Sequence, residues 1–177
     1  MIYSSEQMEK AAVLDVAQLM CAAARTAPKT KGVDKIVTLV ITDAEKDALA
    51  DKMEELDEML NGPARSFISR DAGCLRKSQA LVLIGYKKNY FGLNCGYCGF
   101  KSCDECAGHD SACIFNSVDL GIAIGSAVSV AADNRIDSRV MFSVGRCAAE
   151  MNYFDKDTVL IGIPLSVSGK SPFFDRK

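Results

Sequence analysis

The pattern of apolar and polar residues predicts both helices and strands. Residues 5–24 carry apolar side chains at the spacing of one helix face, and Ser4 or Ser5 can cap that helix. Three short runs are instead continuously apolar and rich in β-branched residues, which predicts strands covered on both faces. These runs are KIVTLVI (35–41), ALVLIGY (80–86) and TVLIGI (158–163).

The segments between these runs complete the predicted architecture. Helical patterns cover residues 43–60, 116–132 and 141–151, whereas residues 91–113 are rich in glycine and cysteine and show no period. We expect an α+β fold (α/β three-layer), in which one sheet lies between two helix layers. We also expect residues 1–177 to form a single domain that carries residues 91–113 as an inserted Cys-rich loop.

Composition and charge narrow the classes of partner. The net charge of −2 provides no basic surface for nucleic acid or for an anionic membrane. The longest apolar stretch, residues 121–132, is shorter than the roughly 20 residues that span a bilayer. The polar start of the chain is not a signal peptide. We therefore expect a cytoplasmic protein that binds neither nucleic acid nor membrane.

The cysteines carry the strongest chemical signal. The chain has eight, and five of them lie within 19 residues: Cys95, Cys98, Cys103, Cys106 and Cys113. In a reducing compartment such a group favours metal binding over disulfides. Thiolates are soft ligands that select iron–sulfur clusters, zinc or copper(I). Glycines after Cys95 and Cys98 allow tight turns whose amides can point at sulfur.

Several ligand sets fit this spacing. Our preferred set is Cys95, Cys98, Cys103 and Cys113 around a [4Fe–4S] cluster. Replacing Cys113 by Cys106 would make two short pairs around zinc, although the pairs are closer together than in ribbon-type zinc sites. The Cys-x4-Cys-x2-Cys run from Cys98 also matches plant-type [2Fe–2S] ferredoxins, with a distant fourth ligand. Free thiols without a metal are the remaining alternative.

The segment from Cys95 to Cys103 reads Cys-Gly-x-Cys-Gly-x3-Cys. It resembles the small iron–sulfur domain of anaerobic electron-transfer and corrinoid iron–sulfur proteins. That resemblance implies a [4Fe–4S] cluster whose fourth ligand lies downstream.

Stretches along nearly the whole chain resemble the DUF2148-type family of ferredoxin-domain-containing proteins. They are AARTAPKTKGVDKI (23–36), NCGYCGFKSC (94–103), DLGIAIGSAV (119–128), DNRIDSRVMFSVG (133–145) and GIPLSVSGKSPFFDR (162–176). The resemblance implies a redox protein of anaerobic metabolism and specifies no substrate.

A fainter resemblance connects the rest of the chain to nitroreductase-like flavoproteins. It is carried by Ala27-Pro28 after the first helix, by a helix rich in small residues (121–132) and by Gly162-Ile163-Pro164 followed by basic residues. It implies an FMN-binding fold that forms a homodimer with the flavin at the interface. The candidate cationic partners of the flavin phosphate are Arg25, Lys29, Lys31, Lys170 and Arg176.

Two functions from different classes follow. The first is electron transfer through a [4Fe–4S] cluster, with FMN as a second cofactor and an unidentified redox partner protein. The second is a non-catalytic interaction module in which zinc or an iron–sulfur centre only stabilises a loop. No catalytic acid, base or nucleophile can be named, because a single histidine supports no Ser–His–Asp or Cys–His arrangement.

Overall fold

A computed structural model describes residues 1–62 and 66–174. The described helices are α1 (Ser5–Thr26), α2 (Asp43–Asn61), α3 (Phe67–Lys77), α4 (Cys103–Gly108), α5 (Ile114–Asp133) and α6 (Phe142–Ala148). The strands are β1 (Ile36–Thr42), β2 (Ala80–Lys87), β3 (Asp137–Ser138) and β4 (Thr158–Ser166). Short 3-10 turns cover Thr30–Gly32 and Ala149–Met151.

The four strands form one antiparallel sheet in the order β1-β2-β4-β3. The first residue of β1, Ile36, pairs with Tyr86 near the end of β2, and Ala80 at the start of β2 pairs with Leu165 of β4. The sheet therefore has two ends, one at Tyr86 and one at Ala80. Each of the two candidate sites lies at a different end of the sheet.

Helices cover both faces of this sheet, as predicted. Helices α1 and α5 pack on one face together with the side chains of Val82 and Ile84. Helices α2, α3 and α6 pack on the other face, where β2 contributes Leu81 and Leu83. Alternate residues of β2 thus enter opposite cores, which explains its continuous apolar sequence. The expected three-layer α+β architecture is confirmed.

Several elements differ from the sequence prediction. Helix α3 was not predicted. It begins behind an N-cap at Ser66, and its buried apolar residues are Ile68, Ala72, Cys74 and Leu75. Strand β3 has two residues and exists only through pairing with β4. Strand β1 is half-buried because it lies at the sheet edge. Within the predicted loop 91–113, residues 103–108 instead form helix α4.

Helix α5 begins at Ile114 rather than at the predicted Asn116 or Ser117, because the Asn116 side chain binds the carbonyl oxygen of Asn89 instead of capping the helix. It is the one described helix that is long and apolar enough to cross a membrane, by length and composition alone. This finding corrects the sequence prediction that the longest apolar stretch is too short to span a bilayer. One face of α5 packs on α1 and the sheet.

Candidate metal centre and cofactor pocket

The Cys-rich segment lies between the end of β2 and the start of α5, at the Tyr86 end of the sheet. Two side-chain contacts hold it to the body of the protein, and a third joins its two ends. Asn116 Nδ2 donates to the Asn89 carbonyl at 2.9 Å, Tyr90 Oη donates to the Ser111 carbonyl at 2.9 Å, and Lys31 Nζ donates to the Phe91 carbonyl at 3.1 Å. The two ends of the segment are thus fixed in position.

Left-handed backbone conformations shape the first part of the segment. The φ angles of Gly96 and Gly99 are +75° and +87°, and the Gly99 amide donates to the Gly96 carbonyl at 2.9 Å. Only glycine adopts such angles without strain. The two glycines therefore bend the chain into a tight turn that carries Cys98.

Asn94 holds Cys103 from both sides. The Cys103 amide donates to Asn94 Oδ1 at 2.8 Å, and the Asn94 amide donates to Cys103 Sγ at 3.4 Å. An amide aimed at sulfur stabilises a thiolate, because it places a partial positive charge next to the anion.

A capping arrangement starts α4 at Cys103. The Glu105 amide donates to Ser102 Oγ at 3.1 Å, and the Lys101 amide donates to Glu105 Oε2 at 2.8 Å. These bonds satisfy amides that a helix start leaves unpaired. They place Cys103 and Cys106 three residues apart on one short helix, where side chains lie on the same face.

The thiols differ in their surroundings. Cys106 and Cys113 are buried, Cys98 and Cys103 are half-buried, and Cys95 is exposed. Burial is the main cause that raises the pKa of the Cys106 thiol, followed by a hydrogen bond with the Cys98 thiol and by the charges of Cys113 and Cys103. The segment therefore carries two buried and two half-buried thiols.

The donor set fits a soft metal centre, although its geometry is not that of a closed site. In residues 1–62 and 66–174, no group of three or more His, Cys, Asp or Glu side chains is arranged to hold a metal ion. The residue types of the segment are nevertheless those of a soft metal centre, because the segment combines several thiols, a tight glycine turn and an amide that donates to sulfur. His109 lies against the Phe100 ring, with 5.1 Å between ring centroids, and contacts the Glu105 carbonyl.

Two of the predicted phosphate-binding residues already have partners within the chain. Arg25 Nη1 donates to Asp34 Oδ2 at 2.5 Å and to the Ile36 carbonyl at 2.8 Å. Lys29 Nζ donates to the Arg25 carbonyl at 2.6 Å and to the Ala27 carbonyl at 2.7 Å, so it caps the end of α1. Both residues lie at the Tyr86 end of the sheet.

Of the other three predicted residues, Lys31 binds the Phe91 carbonyl oxygen, and the remaining two belong to the C-terminal segment. Lys170 follows β4 by four residues, beyond the Ala80 end of the sheet, while Arg176 lies outside the described residues. One chain therefore does not bring Arg25 and Lys29 together with Lys170. Their role as phosphate ligands stays a prediction.

A second candidate site lies at the Ala80 end, between α3 and the start of α6. It is a pocket lined by Phe67, Arg70, Asp71, Arg139, Val140, Met141 and Phe142. Two arginines and an aromatic pair, whose ring centroids are 5.6 Å apart, suit an aromatic anion.

Buried groups hold both arginines in place. Arg70 donates through Nε and Nη2 to Asp71 Oδ1 at 3.0 and 2.8 Å, and Ser143 Oγ donates to the other oxygen of Asp71. Arg139 Nη1 donates to the Phe173 carbonyl at 2.7 Å. The segment that carries Lys170 thus packs beside this pocket.

Comparison with known proteins identifies the family of this chain. The model of a family described as uncharacterized proteins containing a ferredoxin domain (DUF2148) matches residues 109–176. An uncharacterized protein of Archaeoglobus fulgidus is 43% identical over 185 aligned positions, which cover 99% of this chain and 98% of the relative. The chain belongs to the DUF2148 family. The matched range begins after Cys106, so of the five clustered cysteines it includes Cys113 alone.

Solved structures similar to this DUF2148 protein are nitroreductase-like flavoproteins. An FMN-dependent nitroreductase of Mycobacterium smegmatis, solved with NADPH, has a TM-score of 0.61 at 11% identity and covers 88% of this chain and 78% of its own. A nitroreductase family protein of Clostridium novyi has a TM-score of 0.61 at 15% identity, with 86% and 73% covered. A BluB-like flavoprotein of Clostridium difficile has a TM-score of 0.52 at 16% identity, with 100% and 84% covered. The nitroreductase-like fold is confirmed.

Sequence reasoning missed the arginine pocket of the DUF2148 protein. Arg70 lies in α3, a short helix that was not predicted, and Arg139 lies in the irregular stretch after α5. The available signal was the pair of basic residues next to phenylalanines, Phe67 with Arg70 and Arg139 with Phe142. Only the fold brings these two short stretches together.

Proposed function

We propose that this protein is an iron–sulfur redox protein that transfers electrons through a [4Fe–4S] cluster held by the Cys-rich segment. The observation that carries this proposal is the concentration of five thiols in one segment, whose ends are joined by Tyr90 and Ser111 and held to α5 by Asn116. Cys98, Cys103 and Cys113 would hold the cluster, together with Cys95 or Cys106. Such a cluster, when bound, supplies one-electron redox chemistry.

We further propose that the arginine pocket binds FMN. The flavoprotein neighbours support this assignment. Arg70 and Arg139 provide positive charge for a phosphate or for an anionic ring, and Asp71 and Ser143 fix the direction of the Arg70 guanidinium. The described part of the C-terminal segment packs beside this pocket through Phe173, and Lys170 of that segment would add a further cation.

The protein acts as a homodimer in this proposal. Helix α5 leads from the Cys-rich segment to the stretch that carries Arg139, and its 20 residues measure about 30 Å. The two sites of one chain are therefore far apart. A two-fold dimer with antiparallel α5 helices would place the Cys-rich segment of one protomer near the arginine pocket of its partner.

The outer face of α5 supports this dimer. Helix α5 is apolar on almost every side, including the side that faces away from the core. On that outer face Ile114, Val118 and Ile122 are between 37% and 42% exposed. Gly121 and Gly125 on the same face have open space in front of them, so a partner helix could approach closely. An apolar face of this kind is typical of a subunit interface.

Anaerobic purification followed by quantitation of iron, sulfide, zinc and flavin tests the proposal. We expect about four irons per chain, a reducible centre in electron paramagnetic resonance and bound FMN. A colourless protein with stoichiometric zinc would contradict the redox function and favour the metal-stabilised interaction module. Iron without flavin would contradict only the FMN assignment.

A further inference from the structure

The two arginines of the arginine pocket differ in their charge balance. Among the residues that line the pocket, the charged ones are Arg70, Asp71 and Arg139. Arg70 donates through two nitrogens to the Asp71 carboxylate, whose side chain is buried, so the charges of this pair cancel. Arg139 forms no ion pair in the described part of the chain. Arg139 therefore carries the uncompensated positive charge of the pocket.

The C-terminal segment after β4 holds the Arg139 side chain. Arg139 Nη1 donates to the Phe173 carbonyl at 2.7 Å, and Arg139 Cζ lies 5.2 Å from the centroid of the Phe174 ring. A guanidinium at this distance is attracted to the electron-rich face of an aromatic ring. The two contacts use one N–H group and one face of the guanidinium. Its other N–H groups have no partner among the described residues and are available to a ligand.

The same segment is anchored independently of Arg139. Phe173 is buried in the core that α2, α3 and α6 form on the sheet, and the Cys74 thiol of α3 donates to the Pro172 carbonyl at 3.5 Å. Phe174, in contrast, is 63% exposed, and its described ring contact is the one with Arg139. Burial thus fixes the backbone of the segment, while the Phe174 ring contributes little to the core.

The size of the pocket limits what Arg139 can bind. The pocket volume is about 220 Å³, which is below the roughly 300–1,000 Å³ of pockets that enclose drug-sized ligands. The pocket of one chain can therefore enclose one end of a flavin nucleotide. An unpaired guanidinium suits the phosphate end, because its planar donors match two phosphate oxygens at once.

We propose that Arg139 binds the phosphate of the ligand and that Phe174 is a positioning residue, which holds the Arg139 guanidinium in its binding orientation. This inference rests on the proposed binding of FMN and names the end of FMN that the pocket takes. Phe174 acts through Arg139 and does not touch the phosphate. A long arginine side chain loses rotamer freedom when it binds a ligand, and stacking on a fixed ring removes part of that freedom beforehand.

Flavin affinities of the full-length protein, purified anaerobically, test the inference. Riboflavin is FMN without its phosphate, so the ratio of the two dissociation constants measures the contribution of the phosphate. We expect wild-type protein to prefer FMN by more than about tenfold, the effect of one hydrogen bond to a charged group. Arg139→Gln should abolish this preference. Phe174→Leu should reduce it by roughly two- to fivefold, the range of an exposed cation–π contact, whereas Phe174→Tyr keeps an aromatic ring and should retain it.

The possible outcomes separate the inference from the proposed function. Circular dichroism verifies that each variant is folded. A wild-type preference in Phe174→Leu, or equal losses in Phe174→Leu and Phe174→Tyr, would overturn the positioning role. A preserved preference in Arg139→Gln would overturn the phosphate assignment. A wild-type protein that binds neither flavin would contradict the proposed FMN function itself, and the inference with it.

Limited proteolysis of the wild-type protein provides a second test that needs no substitution. Because coupling between two contacts is reciprocal, a phosphate that binds Arg139 must also stabilise the segment that holds Arg139. Chymotrypsin cleaves after aromatic residues, and cleavage after the exposed Phe174 removes the last three residues, which mass spectrometry detects. We expect FMN to slow this cleavage and riboflavin to leave its rate unchanged. Equal rates with the two flavins would contradict the coupling.

Discussion

Contact between α6 and β4 depends on single glycines. A Cβ atom at Gly145 would lie 2.0 Å from the Leu160 carbonyl oxygen, and one at Gly162 would lie 2.4 Å from Val144 Cγ1. The helix therefore touches the strand backbone with no room for a side chain between them. This approach also fixes Phe142 and Met141 at the edge of the arginine pocket.

Substitution of Gly145 tests how tightly this contact is packed. We expect Gly145→Ala to lower the free energy of unfolding by about 1–3 kcal/mol, because overpacking forces the backbone to shift. Gly73→Ala in α3 is the matched control, since a Cβ atom there meets nothing within 4 Å and alanine favours a helix. Urea denaturation of both variants measures the difference. A Gly145→Ala protein as stable as wild type would show that the contact is looser than described.

At the scale of elements, the junction between α2 and α3 depends on one buried carboxylate. Asp57 accepts hydrogen bonds from the amides and hydroxyls of both Ser66 and Ser69, and from Asn61 Nδ2. The side-chain bonds with Ser66 and Ser69 are the main causes that hold the pKa of Asp57 far below its ordinary value. The carboxylate of α2 thus anchors the start of α3, the helix that carries Arg70.

The low pKa of Asp57 gives α3 an acid-sensitive anchor. Because the folded-state pKa is depressed, its contribution to stability is complete above the unfolded-state pKa of about 4 and is lost as the pH falls toward the folded-state pKa. We expect Asp57→Asn to lower the melting temperature at neutral pH, with a difference from wild type that narrows in acid. Ser66→Ala, which removes the N-cap, should cost about 1 kcal/mol.

Thermal melts between neutral and acid pH measure this effect. Glu58→Gln is the control, since Glu58 is an exposed side chain on the same helix. A melting-temperature difference for Asp57→Asn that stays constant with pH would contradict the anchoring role.

Helix α4 shows how far local sequence specified the candidate metal centre. The clustered cysteines and the glycines between them were sufficient to locate the segment. Helix α4 was not predicted, and it places Cys103 and Cys106 on one face because Ser102 and Glu105 start a helix there. The predicted ligand set stays a prediction. The interpretation of residues 91–113 as an insert stays a prediction.

At the scale of the whole molecule, the exposed face of α5 predicts the oligomeric state. We expect wild-type protein to sediment at twice its chain mass of 19.1 kDa. The double variant Val118→Glu, Ile122→Glu should sediment as a folded monomer, because charges buried without partners cost several kcal/mol. Met59→Glu, at an exposed apolar residue of α2, is the control that should stay dimeric. A monomeric wild type would contradict the dimer and its pairing of the two sites.

The sequence by itself determined the architecture and the class of chemistry. The continuous apolar run of β2 required cover on both faces, and five thiols in 19 residues predicted a metal or redox role. Tertiary structure alone decided which side chains share a site. Arg70 and Arg139 line one pocket because α3 packs beside the start of α6. Lys29 binds backbone carbonyl oxygens because it caps the helix that precedes it. Period and spacing are local properties, whereas the partners of a charged side chain depend on elements that are distant along the chain.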